Sequence, residues 1–266
     1  MSQIITVVNQ KGGVGKTTTA VNLAACLALS GKKVLLIDMD PQSNATSGLG
    51  VSLQSSQKGI YELLLGDAVL DQVVYPTEIE TLKIIPATVD LSGAEIELVA
   101  RENRETRLKQ ALDGVCSQFD YVMIDCPPSL GLLTLNSLTA ARSVLIPMQC
   151  EYYSLQGLSH LMRTLKLVKQ SLNPELKIEG ILLTMFDGRT SLANQVRDQV
   201  RKYFKEFLLA TVIPRNVRLS EAPSHGKPVV LYDNRSKGAD SYVELAKEIV
   251  ARTKMKSIQT NEEGLS

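Results

Sequence analysis

The run Gln10-Lys11-Gly12-Gly13-Val14-Gly15-Lys16-Thr17-Thr18 restricts what this chain can become more tightly than any other stretch. An apolar segment, Ile4-Ile5-Thr6-Val7-Val8, leads into it, and a helix-like segment, Thr19 to Ala28, leaves it. Strand, glycine-rich turn and helix in that order form a phosphate-binding loop. The glycines let backbone N–H groups curl round phosphate oxygens, and the helix N-terminus adds its positive dipole. In such a loop Lys16 meets the β and γ phosphates of a nucleotide and Thr17 ligates Mg²⁺. Two departures stand out: Gln10 replaces the first glycine of the ordinary pattern, and a second lysine, Lys11, follows it. A glycine-rich turn without a ligand is the plainer alternative, and the flanking strand and helix argue against it.

Two apolar runs end in aspartate. Val34-Leu35-Leu36-Ile37 runs into Asp38-Met39-Asp40-Pro41-Gln42, and Tyr121-Val122-Met123-Ile124 into Asp125-Cys126-Pro127-Pro128. Continuously apolar strands are those covered on both faces, as in a parallel sheet. Many buried strands end in aspartate; beside a phosphate loop, such a carboxylate organises Mg²⁺. Thr17 and Asp125, with Asp38 nearby, are therefore the candidate metal residues. Asp40 is either a carboxylate that positions the attacking water or a turn residue before proline.

Further strands are expected at 82–86, 143–147, 180–186 and 210–214. Short helices fit within 59–74 and 94–100, a helical spacing covers 101–115, and longer helices fit 155–171 and 190–207. The polar stretch 43–58 is predicted to be loop. Nothing divides the chain, which is expected to be one doubly wound α/β domain over 1–252, with a mostly parallel sheet flanked by helices and a polar, flexible tail at 253–266. Ligands of such sheets bind beyond the carboxyl ends of the strands. Asn9, Asp38, Asp40, Asp125, Gln149, Asp187 and Pro214-Arg215-Asn216 all fall there.

The formal net charge is +1, so any nucleic-acid partner must be held by a local patch rather than a global field. The four cysteines, Cys26, Cys116, Cys126 and Cys150, show no metal-like spacing, which predicts a reducing, cytoplasmic setting. No apolar run approaches a membrane span.

The loop from Lys11 to Thr18 resembles the deviant Walker A motif of the ParA/MinD superfamily of P-loop NTPases, and the two aspartate segments look like its switch segments. The run Pro214-Arg215-Asn216-Val217-Arg218-Leu219-Ser220-Glu221-Ala222-Pro223-Ser224-His225-Gly226-Lys227-Pro228 is similar to one typical of its Soj-type chromosome-partitioning branch. The resemblance covers the chain to about residue 252. It implies an ATPase that uses Mg²⁺ and closes as an ATP-sandwich homodimer on nonspecific double-stranded DNA. Hydrolysis would be slow and stimulated by a ParB-type centromere-binding protein, and the molecule would sit on the nucleoid. It also implies that Lys11 acts in trans, that Lys16 and Asp40 serve hydrolysis, and that Gly12, Gly13, Val14, Gly15 and Thr18 cradle the phosphates. Pro214, Arg215 and Asn216 would border adenine, and Arg189 and Arg218 would contact DNA. The residues alone make those two arginines ordinary loop cations, and the stripe Arg197, Arg201, Lys205 an extension broken by Asp198 and Glu206.

Three rival readings fare worse. A membrane-bound MinD-like role needs an amphipathic terminal helix, and the tail lacks an apolar face. An iron–sulfur role needs cysteine ligands in a suitable loop, and Cys126 and Cys150 lie in none. A metabolic ATP-dependent ligase of related fold is opposed by the Pro214–Pro228 run.

Overall fold

The computed structural model describes residues 2–114 and 116–263. In chain order the elements are β1 (Gln3–Val7), α1 (Lys16–Leu29), β2 (Val34–Asp38), α2 (Asn44–Gly48), α3 (Ile60–Leu65), β3 (Tyr75–Pro76) and β4 (Leu82–Ile85). Then come α4 (Leu91–Val99), α5 (Arg107–Leu112), β5 (Tyr121–Asp125), α6 (Leu132–Ala140), β6 (Ser143–Gln149) and α7 (Ser154–Ser171). The chain ends with β7 (Lys177–Phe186), α8 (Ser191–Phe204), β8 (Leu208–Pro214), α9 (Val217–Glu221), α10 (Val229–Tyr232) and α11 (Lys237–Glu263).

The eight strands form one sheet in the order β3-β4-β2-β5-β1-β6-β7-β8. Every pairing is parallel except the edge strand β3, which runs antiparallel to β4 and carries Pro76, a residue tolerated only at such an edge. Alternation along the strands divides the core in two. Leu35, Ile37, Val122 and Ile124 face one layer, built with α3 to α8. Val34, Leu36, Tyr121 and Met123 face the other, built with α1, α10 and α11. Both faces are covered, which is why β2 and β5 read as unbroken apolar runs.

Helix α1 is buried nearly all round from Thr19 to Ala28, so it has almost no polar face. Its one internal amide, Asn22, is bonded through both its nitrogen and its oxygen. Asn22 Nδ2 donates to Thr18 O at 2.7 Å, and Oδ1 accepts from Val229 N at 2.6 Å. That bond fastens the segment after β8 to the helix that carries the phosphate loop. A second fastening is steric: Gly226, at φ +62°, lies so close to Gly50 that a Cβ on it would fall 2.7 Å from the Gly50 Cα.

Three sequence expectations change. The stretch 43–58 contains α2, because the Asp38 carboxylate organises it through Thr46 N at 2.9 Å and Thr46 Oγ1 at 2.7 Å. Helical spacing at 101–115 yields only Arg107–Leu112, since Asn103 takes a left-handed φ of 54° ahead of it; Val115 lies outside the described residues. The segment from 253 onward continues α11 to Glu263, and 264–266 lie outside the described residues.

Asn22→Ala removes a buried donor and acceptor and leaves Val229 N unpaired. We expect it to lower the unfolding free energy by about 2 kcal/mol, measured by urea denaturation. A loss under about 0.5 kcal/mol would show that these groups find other partners.

Candidate functional site

The site is built at the carboxyl ends of the central strands, where parallel register sets the heights. Val7 lies level with Asp125 across β1–β5, and Asp38 level with Asp125 across β5–β2. The phosphate loop therefore leaves β1 beside both aspartates. Neighbouring strands hold the loop down. Asn9 Nδ2 donates to Pro147 O at 2.7 Å, and Asn9 Oδ1 accepts from Lys11 N at 3.0 Å. Gln149 Nε2 donates to Gly13 O at 3.0 Å, and Thr184 Oγ1 to Val14 O at 2.8 Å. Gly15 begins α1 at φ 85°, a conformation that disfavours any side chain. No Cβ at Gly12 or Gly13 would meet an atom within 4 Å, so that space is open for a ligand against bare backbone.

Lys16 is buried and its Nζ donates to Lys11 O at 3.2 Å, an arc of the lysine back over the loop. Burial pulls its ammonium below the ordinary lysine pKa, and the nearby Asp125 pushes the other way. Lys11, at the exposed rim, is ion-paired with Glu151 at the approach to α7. A recess of 240 Å³ opens there, lined by Asn9, Gln10, Lys11, Val14, Met148, Gln149, Tyr153, Ser154 and Gly157. A larger one of 290 Å³ lies between Ser2, Tyr121 and Thr253 at the amino ends of the strands, the end that open parallel sheets do not use for ligands.

The carboxylates differ sharply. Asp38 is fully buried and held by Thr46 and by Asp40 N at 3.1 Å; burial still raises its pKa to about 6. Asp40 accepts from Gln42 N at 2.9 Å and lies beside Asp38, to which its own N–H donates. Asp125 is completely buried, and neither of its oxygens has a hydrogen-bond partner. Burial, then repulsion from Asp38, raises its pKa well above the usual range; the hydroxyl of Thr17 lies near enough to oppose this without completing a hydrogen bond. An orphaned, desolvated carboxylate beside a second one and a hydroxyl fits a hard divalent cation. Among the described residues no three His, Cys, Asp or Glu side chains gather as a metal cage.

The remaining candidates lie on the flank. Pro214 ends β8 level with Phe186 of β7, Arg215 is exposed, and Asn216 caps α9 by accepting from Arg218 N at 2.9 Å. Arg189 pairs with Asp187, and Arg218 with Glu221 and Asp233. Thr18 is half-buried, its carbonyl taken by Asn22. Cys26 and Cys126 are buried free thiols whose pKa burial raises to about 12. Missed from sequence were Thr46, Gln149's hold on the loop, Glu151 and Thr184; only Gln149 carried a signal, its place at a strand end. No helix among the described residues is long and apolar enough to cross a membrane.

Over residues 2–178 the chain matches the family described as an AAA domain. It is 59% identical to the sporulation initiation inhibitor protein Soj of Bacillus subtilis (strain 168), over 94% of this chain and 99% of that protein. It is 58% identical to the chromosome partitioning protein ParA of Myxococcus xanthus (strain DK1622), over 97% of this chain and 91% of that one. A solved structure named cobyrinic acid a,c-diamide synthase from Mycobacterium smegmatis, with bound ATP analog and magnesium, superposes with a TM-score of 0.83. The two are 40% identical over 96% of each chain. Relatives this similar along nearly the whole length place the sequence plainly: it belongs to the Soj/ParA family of chromosome-partitioning ATPases.

Proposed function

We propose that this protein hydrolyses ATP with Mg²⁺ to drive DNA partitioning, binding DNA nonspecifically as an ATP-closed homodimer in the cytoplasm, on the nucleoid. A ParB-type protein would stimulate an otherwise slow hydrolysis and so release the dimer. The observation that carries the reading is Asp125: a buried, unpartnered carboxylate one strand from a phosphate loop has no structural use but invites a cation. Relatives named for chromosome partitioning are 58% and 53% identical, against 40% for the structure named as a diamide synthase, which favours this reading over an amide-forming ligase.

Each residue then has a physical task. Backbone N–H groups from Gly12 to Thr18 and the start of α1 receive phosphate oxygens. Lys16, already desolvated, places its ammonium on the β and γ phosphates. Thr17 and Asp125 would hold Mg²⁺, with Asp38 behind them; the bound ion neutralises phosphate charge during transfer. Asp40 would accept a hydrogen bond from the attacking water and align it. Pro214, Arg215 and Asn216 would border the adenine. Lys11 would exchange Glu151 for the nucleotide of a second copy docked against the loop, adding a cation where transition-state charge develops. Arg189 and Arg218 would meet DNA phosphates.

The central experiment compares binding to duplex DNA with ATP, with ADP and without nucleotide. Tight binding is expected with ATP alone. With a net charge of +1 one copy neutralises few phosphates, and pairing two copies roughly doubles that number. The slope of log affinity against log salt should therefore steepen with ATP and hardly vary with DNA sequence. Equal binding with ADP and ATP overturns the reading.

Asp125→Asn should separate the metal role from the fold. Because burial raises the carboxyl's folded pKa, its charge destabilises the empty chain at pH above the unfolded value. The amide should raise unfolding free energy by about 1–3 kcal/mol at neutral pH, with the advantage vanishing in acid where both states are neutral. Mg²⁺-dependent nucleotide binding should fall sharply, as titration calorimetry would record. A variant that is less stable and still binds Mg-nucleotide normally contradicts the assignment.

Asp40→Ala should bind ATP, dimerise and stall, with turnover down about 100-fold or more and a longer residence on DNA. Parental turnover, with and without the ParB-type partner, would remove Asp40 from the mechanism.

A further inference from the structure

Both arginines proposed for the DNA face already hold carboxylates, Arg189 with the bidentate fork a phosphate would take. Arg189 donates from Nε to Asp187 Oδ1 at 2.9 Å and from Nη2 to Oδ2 at 2.7 Å, a fork on a fork. Asp187 also accepts from Arg189 N at 3.1 Å, and Arg215 lies close enough to favour its charged form. Arg218 donates from Nη1 to Glu221 Oε2 at 2.7 Å, and its Nε lies 3.1 Å from Asp233 Oδ2. The hydroxyl of Tyr232 approaches the same Glu221 oxygen at 3.3 Å, and the His225 ring stacks on Tyr232 at 4.8 Å. The pairs are solvent-accessible, with the Arg189 side chain 89% and the Arg218 side chain 46% exposed.

DNA binding gains its free energy from counterions that a protein cation displaces from the phosphates. A neutral arginine–carboxylate pair displaces none. Exposed pairs are also weak and screened by salt, so a phosphate is able to take the carboxylate's place. With 29 basic against 28 acidic residues, the chain as a whole has almost no net positive charge to offset such masking.

We infer that Asp187, Glu221 and Asp233 are internal competitors of the DNA phosphate, which set a low affinity for each copy by occupying the guanidinium groups that bind it. The inference rests on the reading of Arg189 and Arg218 as DNA contacts. On binding, each guanidinium passes from carboxylate to phosphodiester. One copy sets these exchanges against few contacts and stays off DNA. Two copies side by side present both arginines twice on one duplex, so masking turns a modest gain in contacts into dependence on the dimer.

The alternative role for the carboxylates is orientation, in which they hold each guanidinium ready for DNA. An amide separates the two, because it keeps an acceptor oxygen and discards the charge. The test uses the full chain with Asp187→Asn, or with Glu221→Gln and Asp233→Asn combined. Each variant is titrated against a fluorescent duplex of scrambled sequence over a series of KCl concentrations, without nucleotide and with a non-hydrolysable ATP analogue. Asp187→Asn should tighten binding about 3- to 10-fold and steepen the salt slope by about 0.9; Glu221→Gln and Asp233→Asn should do so when combined, since either acid alone still pairs Arg218. Adding Arg189→Ala to Asp187→Asn should abolish its gain. Unchanged or weaker binding by the amide variants, while Arg189→Ala and Arg218→Ala still weaken it, overturns the competitor role and leaves the DNA face standing. A gain that survives Arg189→Ala also overturns it, as a mere change in net charge. Parental affinity in both arginine variants removes the DNA face itself, and this inference with it.

Discussion

Register between parallel strands is the constraint on which the site depends. Because β2, β5 and β1 run the same way and are paired level, Asp38, Asp125 and the exit of Val7 arrive at one height. The loop that follows β1 then lies beside both carboxylates, and Asn9, Gln149 and Thr184 hold it down there. A slip of one residue in β5 would turn Asp125 to the other face and leave the loop without a carboxylate. The two apolar layers, each gripping alternate residues of the same strands, prevent that slip.

That arrangement is costly to the empty chain. Asp125 is desolvated without a hydrogen bond, Asp38 is buried with hydrogen bonds from Thr46 and Asp40 N that only partly offset its burial, and Lys16 is desolvated beside them. Burial disfavours the charge on the lysine and on both carboxylates, and the attraction between Lys16 and Asp125 offsets only part of it. Ligand sites commonly carry such strain, and the surrounding sheet holds it in place.

The same interactions tie the loop to distant parts of the chain. Asp38 shapes α2; α2 leads to Gly50, which is interlocked with Gly226, and Asn22 fixes Val229 to the back of α1. The segment that carries Arg218 therefore rests on two elements that line the phosphate site. Whatever moves Asp38 or α1 bears on the flank where Arg218 pairs with Glu221 and Asp233.

Much of this was legible in the residues. Glycine-rich spacing between an apolar strand and a helix needs no tertiary information, since the chemistry of the loop is local. Nor do strands that end in aspartate, which announce themselves by unbroken hydrophobicity. Those two patterns carried the fold class, the candidate phosphate and metal residues and the superfamily, and the Pro214–Pro228 run carried the Soj-type branch. Only the tertiary structure decided which partners those residues have. Glu151 on Lys11, Thr184 on Val14 and Asn22 on Val229 join positions far apart in sequence, where no periodicity reaches. The helix at Asn44–Gly48 looked like loop because its organiser is a carboxylate on another element. Arg189 and Arg218 looked like solvated cations, and the fold holds them in pairs with acids. A sequence records which charges exist, while their neutralisation depends on distances that only packing sets.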